Sequence, residues 1–268
     1  MPTVRITTLN LLNDLSRWSE RRSLVANSLA ELDADLIALQ EVSLPEDNAH
    51  WLADQLGYYL HLCPKTGRKR DYEGIAILSR LAVEREATLD LQSQNRVAQL
   101  VQVNLGGQSL VVVNAHLYWQ PGESTQRTRQ VQLMLEWLLN LPAETAIIVC
   151  GDFNGTPGSE AIQLMRKRFV SAYAAHHGSE PEYTCPTPLK RLGPPTLREV
   201  VRRIGSFVLN LATTHTLRPW RGTLDYVFVN ERVQIIECDV VLNHPARHDS
   251  TLYPSDHFGL AATLWIEA

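Results

Sequence analysis

Eight short runs rich in Val, Ile and Leu, each closed by turn residues, limit what this chain can fold into: VRITTLN (4–10), DLIALQEV (35–42), GIAILSR (74–80), VAQLVQVNL (97–105), SLVVVNAHL (109–117), TAIIVCGDF (145–153), LDYVFVN (224–230) and HFGLAATLWI (257–266). β-Branched runs of this length bounded by turn residues read as strands. They are too many, and too often joined without a helix, for a purely alternating strand–helix wind. From Glu73 to Leu117 the pattern reads as an antiparallel meander. Two helical stretches interrupt the strands. Leu24, Val25, Ser28, Leu29 and Leu32 share one face of the first, and Val131, Leu135, Leu138 and Leu139 lie at helical spacing in the second, which Pro142 stops. The expected fold class is α+β: two packed, mostly antiparallel sheets with helices outside.

At 268 residues, with 44% apolar and 20% charged residues, the chain has the composition of a water-soluble globule. With no linker, repeat or low-complexity tract, one domain over 1–268 is expected. No apolar run is long enough to span a bilayer. The start, MPTVRITTLNLLNDL, lacks the parts of an export signal, so a cytoplasmic protein is expected. Cys63, Cys150, Cys185 and Cys238 are widely spaced and read as buried free thiols, not as a disulfide framework or zinc cluster.

A net charge of −4 argues against a bulk, sequence-blind grip on duplex DNA. The charge is uneven: between Pro188 and Gly222 stand Lys190, Arg191, Arg198, Arg202, Arg203, Arg218 and Arg221 against Glu199 alone, and Lys65–Arg70 (KTGRKR) forms a second basic knot. In the first of these, Leu197, Val200, Val201, Ile204, Phe207, Val208 and Leu211 follow helical spacing, so a basic helical insertion is expected at about 188–222 with its helix over 196–211. It reads as a solvated surface helix, or as a basic lid or a platform for a phosphate-bearing substrate or an acidic membrane surface.

The polar residues concentrate at strand ends. Asn10 closes the first run and Gln40–Glu41 the second; His116 and Asp152 end two more, with Asn154 just beyond; Asp225 and Asp256–His257 open the last two. A carboxylate at the end of an apolar strand is costly to desolvate unless paired or bound to a cation. So many strand ends point to one polar cluster at a common edge of two sheets. Glu41, Asp152 and Asp256 are hard oxygen donors, and Asn10 and Asn154 neutral ones, which suits Mg²⁺ or Mn²⁺ over zinc. The histidines supply proton transfer, or charge beside a phosphate. Read alone, IIVCGDFNGTPGSE (147–160) is a turn. In this company Asp152 and Asn154 fall on one side, Gly151 permits a close approach, Phe153 turns into the core, and Thr156–Pro157 starts the next helix.

These motifs resemble, in order, those of the endonuclease/exonuclease/phosphatase superfamily: TLNLLND with Asn10, ALQEV with Glu41, EGIAILSR, VVNAHLYW with His116, CGDFN with Asp152 and Asn154, LDYVFV with Asp225, and SDHFGL with Asp256 and His257. The likeness is greatest to the deadenylase and nocturnin-like branch, through NAHLYW followed by Pro121 and through Arg17, Trp18, Arg21 and Arg22 ahead of LQEV. The chain departs from the abasic-site endonucleases in having Leu9 before the first Asn and His116 where they use Tyr. The resemblance implies a four-layer α/β/β/α sandwich and metal-assisted phosphate-ester cleavage. It implies Glu41 as principal Mg²⁺ ligand with Asn10 beside it and Asp256 as a further contact, and Asp152 preparing water with Asn154. It makes His257, oriented by Asp225, the other candidate for general base or phosphate contact, and has His116 donate a hydrogen bond or a proton to the phosphate. Arg96, Tyr118 and Tyr72 are expected to contact substrate. That substrate is foremost a single-stranded nucleic acid or nucleotide. The alternatives are a phospholipid, sphingolipid or sugar-phosphate headgroup, or no substrate at all in a catalytically silent scaffold.

Overall fold

The computed structural model describes residues 2–190, 204 and 220–267. Among the described residues, twelve strands form two six-stranded sheets. The first holds β1 (Thr3–Asn10), β2 (Leu36–Ser43), β3 (Tyr59–Pro64), β4 (Glu73–Ser79), β11 (Val233–Val241) and β12 (Gly259–Ile266), in the order β11-β12-β1-β2-β4-β3. The second holds β5 (Val83–Asp90), β6 (Val97–Leu105), β7 (Gln108–His116), β8 (Ala146–Asp152), β9 (Val170–Ser171) and β10 (Asp225–Val229), in the order β5-β6-β7-β8-β10-β9. Each sheet is mixed: among the described residues, only β1–β2 and β7–β8 pair in parallel.

Both faces of the central strands are covered, which is why they read as unbroken apolar runs. Val4, Ile6, Leu36 and Ile77 of the first sheet meet Val101, Val103, Leu110, Val112, Ile148 and Val227 of the second in one buried layer. Behind the first sheet lie α1 (Trp18–Leu32) and α2 (Asn48–Leu56), packed through Trp18, Val25, Leu29 and Leu52. Behind the second lie α3 (Thr125–Leu138) and α4 (Glu160–Met165), packed through Val131, Met134, Leu135, Ile162 and Met165. A fifth helix, α5 (Ala172–His177), packs against β10 and β11. The layering is the expected α/β/β/α sandwich, and each fully buried aliphatic side chain in it contributes ~1.5–3 kcal/mol.

Several details differ from the sequence reading. The stretch 73–117 is not one meander: β4 pairs with β2 and β3, and the antiparallel run is confined to β5–β6–β7 in the other sheet. The inward face of α1 is Trp18, Arg21, Val25, Ala26 and Leu29, leaving Leu24, Ser28 and Leu32 half-buried. Met134 belongs to the buried face of α3, whereas Leu139 caps its end and is exposed. α4 starts at Glu160 after Ser159, and Thr156 belongs to the turn before it, accepting from the Ser159 backbone N–H at 2.9 Å. All four cysteines are free and buried. The helix expected over 196–211, and with it the lid or membrane contact, lies outside the described residues. Among the described residues no helix is long and apolar enough to cross a membrane.

Candidate active site at the shared edge of the two sheets

Strand register brings the polar ends together. In the second sheet His116 is opposite Asp152 across the parallel β7–β8 pair, and Asp225 is opposite Asp152 across the antiparallel β8–β10 pair. Three chemically active side chains thus stand in a row on neighbouring strands. Gly151 makes the row possible: with φ +134°, a Cβ there would lie 2.0 Å from the Ala115 carbonyl oxygen. Phe153 is fully buried against Tyr226 and Phe228, so Asp152 is anchored by the residues on either side of it.

In the first sheet Asn10 is opposite Gln40 across β1–β2. The next residue, Glu41, sits where the β2–β4 register shifts and takes φ +55°. A bulge re-aims a side chain, and a left-handed conformation at a residue other than glycine costs ~1–3 kcal/mol that its surroundings must hold. The Asn13 backbone N–H donates to Glu41 Oε2 at 2.8 Å, while Oε1 faces His116 Nε2 at 4.0 Å. Beneath the site the Gln40 amide donates to Asn114 Oδ1 at 2.8 Å, and Asn114 donates to the Leu39 and Ala76 carbonyls. This buried bridge ties one sheet to the other below the polar cluster.

Asp152 is the hub. Its Oδ2 accepts from the Asn10 amide at 3.0 Å and lies 3.5 Å from His116 Nε2; its Oδ1 accepts from the Asn154 backbone N–H at 2.8 Å. The Asn154 amide donates to the Leu117 carbonyl at 3.2 Å. Burial pushes the Asp152 carboxyl up to about 6, helped by the Asp225 charge and opposed by His257 and the two amide donors.

The two histidines have opposite partners. His257 Nδ1 donates to Asp225 Oδ2 at 2.9 Å. Burial acts to lower the His257 imidazole, but the Asp225 carboxylate, with Cys185 and Asp152 adding to it, carries it well above its ordinary range. Thr184 supports the pair: its hydroxyl donates to Asp225 Oδ2 at 2.6 Å and accepts from the Leu224 and Asp225 backbone N–H groups. His116 Nδ1 instead faces the Arg96 guanidinium at 2.5 Å. Burial, then the charges of Arg96 and Lys65, push the His116 imidazole well below its ordinary range. Behind Arg96 lies a buried pair, Lys65 Nζ on Glu73 Oε1, with Arg96 3.7 Å from the same oxygen. Burial lowers the Lys65 ammonium to about 8, with Arg96 adding to the effect.

Asn10, Glu41, His116, Asp152, Asn154, Asp225 and His257 therefore belong to one cluster, with Asp256 half-buried next to His257. Of the three residues expected at the substrate, Arg96 is buried behind His116, whereas Tyr72 is exposed and Tyr118 half-buried. The Tyr118 hydroxyl donates to Gln120 Oε1 at 2.6 Å. Sequence reading missed Lys65, Glu73 and Thr184. Lys65 stood in a basic knot and Glu73 at a strand start, but nothing local announces that they pair or that Thr184 reaches Asp225.

The donors fit a hard divalent cation. Glu41 is partly exposed, at 27% of its side chain, with one oxygen held by a backbone N–H and the other turned to the cluster. Carboxylates gathered in a buried setting need a compensating charge, and oxygen donors suit Mg²⁺ or Mn²⁺. One ligand atom each from Asp152, Asp225 and His257 also lie within 4.8 Å of one another. Asp225 and His257 already bond each other, so this trio reads as a proton-handling group and not as the primary cation site.

The two-sheet sandwich with a carboxylate, amide and imidazole cluster at one shared edge has its counterpart among known proteins: the chain belongs to the endonuclease/exonuclease/phosphatase family, whose model matches residues 7–257. It is similar to human Nocturnin, 26% identical over 273 residues that cover 91% of this chain and 57% of that protein. It is also similar to the CCR4-Not complex 3'-5'-exoribonuclease subunit Ccr4 of Coccidioides immitis, 22% identical over 342 residues covering 94% and 44%. Among solved structures, the human Nocturnin catalytic domain with bound sulfate superposes with TM-score 0.75 at 24% identity, covering 99% of this chain and 94% of that one. The chain spans about half the length of the curated relatives it matches.

Proposed function

We propose that this chain is a Mg²⁺-dependent phosphodiesterase acting on single-stranded nucleic acid or a nucleotide. The observation that carries the reading is Asp152: a buried carboxylate held by two amide donors, between an imidazole on an arginine and an imidazole on an aspartate. The similarity to a 3'-5'-exoribonuclease favours a nucleic-acid substrate over a lipid headgroup.

In this reading Glu41 is the principal cation ligand, with Asn10 and Asp256 beside it. The bound cation supplies Lewis-acid stabilisation of charge on the phosphate. Asp152 orients and deprotonates the attacking water, and a carboxyl pushed up to about 6 is a stronger base than an ordinary aspartate. Asn154 holds the water or a phosphate oxygen. His257, kept positive by Asp225, places charge against the phosphate as negative charge grows on the leaving oxygen. His116 meets the phosphate from the other side.

The test presents the chain with Mg²⁺ to single-stranded RNA, single-stranded DNA and a panel of lipid headgroups. Cleavage of an oligonucleotide that stops with EDTA and returns with Mg²⁺ is expected, and Glu41→Gln should lower kcat by ~10³-fold or more, as loss of a charge-stabilising group does. Cleavage of lipid alone would sink the nuclease reading, and an active Glu41→Gln protein would sink the cation assignment.

A further inference from the structure

We propose that Arg96 is a positioning residue that locks His116 in the tautomer protonated at Nε2, so that His116 acts as a neutral hydrogen-bond donor and not as the general acid. The inference deepens the proposed function and rests on it for its kinetic consequence, though not for its geometry.

A guanidinium has five N–H donors and no acceptor. At 2.5 Å from Arg96 Nη1, His116 Nδ1 must therefore accept, and the ring's one remaining proton sits on Nε2. That nitrogen is buried and has no hydrogen-bond partner. It points between two carboxylates, 3.5 Å from Asp152 Oδ2 and 4.0 Å from Glu41 Oε1. A buried donor without a partner is costly and rare. At a cluster built for a phosphate ester, the missing partner is a phosphate oxygen.

The surroundings make the arrangement rigid. Arg96 lies on the loop that enters β6, its backbone N–H donates to the Ser93 carbonyl, and its carbonyl accepts from the Leu91 N–H. Three residues of that loop other than glycine, Gln92, Gln94 and Asn95, take positive φ. Such conformations persist only where the surroundings enforce them. The charged groups around His116 are Arg96 and Lys65 on one side, Glu73 between them, and Glu41, Asp152 and His257 on the other. A second proton on His116 would have to displace the Arg96 contact.

The consequence is a division of labour. A residue that gives up a proton to the leaving oxygen must regain it each turnover, and Nδ1 closed by a guanidinium offers no relay. His116 then lowers the barrier by holding charge, the part an oxyanion-hole donor plays.

Nitrogen-15 NMR of the full chain, with histidine rings labelled and the His116 signal assigned through His116→Gln, reads the tautomer directly. The expected wild-type spectrum shows an unprotonated Nδ1 and a protonated Nε2 across pH 5.5–8. In Arg96→Met the signal should become a tautomer mixture, with kcat lowered ~10–100-fold, in the range seen when an outer partner of a catalytic group is lost, and KM little changed. Arg96→Lys, which can still donate to Nδ1, should restore the Nε2–H tautomer and part of kcat. A wild-type Nδ1–H or doubly protonated ring overturns the inference whatever the activity, as does an Arg96→Lys protein with the Met variant's spectrum. A wild-type protein inert on every phosphodiester, with the Nε2–H spectrum intact, removes the hydrolase reading and leaves the positioning role standing.

Discussion

His116 and His257 flank the same aspartate, and both are buried, yet their partners drive them to opposite protonation states. His257 hydrogen-bonds a carboxylate, which offers acceptors only, so its Nδ1 carries a proton and its positive form is favoured. His116 meets a guanidinium, which offers donors only, so its Nδ1 is bare and its neutral form is favoured. Burial acts in the same direction on both. The lesson is that a histidine in an active site has no fixed role. The group on its far nitrogen sets it, a contact that lies outside the reach of substrate.

The sharpest break of this comparison is to delete each ring's function in turn. His257→Gln removes positive charge and any proton exchange, and should lower kcat/KM by ~10²–10⁴-fold, the range for a general acid or base. His116→Gln keeps a donor amide, so a smaller loss is expected. If His116→Gln proves the more damaging in steady-state kinetics, the roles are reversed. His257→Gln has a second signature. The His257 charge holds the Asp152 carboxyl down, so its loss should move the acid limb of the kcat/KM profile from near pH 6 to higher pH. An unmoved limb would detach Asp152 from that limb.

A milder intervention is Asp225→Asn, which makes His257 resemble His116. The His257 value is raised in the fold above the ordinary 6.5, so the folded state binds the extra proton. The stabilisation from the pair is therefore fully present below about pH 6.5 and drains away as pH rises through the folded value. Urea midpoints of the wild type should fall over that alkaline window, and those of Asp225→Asn should be flatter there. Parallel pH dependence in the two proteins would contradict the charged pair.

Thr184→Val is the smallest perturbation. It removes one donor to Asp225 Oδ2 and the acceptor for two buried backbone N–H groups, a cost of about 1–3 kcal/mol. Denaturation should show that loss, and Thr184→Ser should recover most of it. A Val variant as stable as wild type would mean that the hydroxyl does not tension the pair.

Some of this was legible in the chain and some was not, and the division follows burial. The strands read from the sequence were β1, β2, β4, β6, β7, β8, β10 and β12, all in sheet interiors; those missed were β3, β5, β9 and β11, which are the four sheet edges. Central strands are covered on both faces, so their sequences are continuous apolar runs. An edge strand such as VEREATLD in β5 is largely exposed, and its alternating polar residues read as a loop. The same logic separates the site residues. Asn10, Glu41, His116, Asp152, Asp225 and His257 were visible because polar groups at the ends of apolar runs are anomalies that need a cause. Lys65 and Thr184 sit among ordinary loop residues, where polarity needs no cause, and Glu73 opens β4 directly after the polar loop Arg68–Tyr72, so it reads as part of that loop.

The two-sheet class, the strand ends at which chemistry gathers, and the family were all readable along the chain. The first two follow from periodicity and the cost of burying charge, which are written locally, residue by residue; the family follows from the resemblance of the ordered motifs. Which oxygen or nitrogen each titratable group faces emerges with the folded sheets: the arginine on His116, the aspartate on His257, and the bulge that turns Glu41 into the cluster. These contacts join residues 20 and 32 positions apart in the two histidine pairs. Hydrogen-bond direction and local dielectric exist only once the sheets have closed over them, and with them come the protonation states on which the chemistry turns.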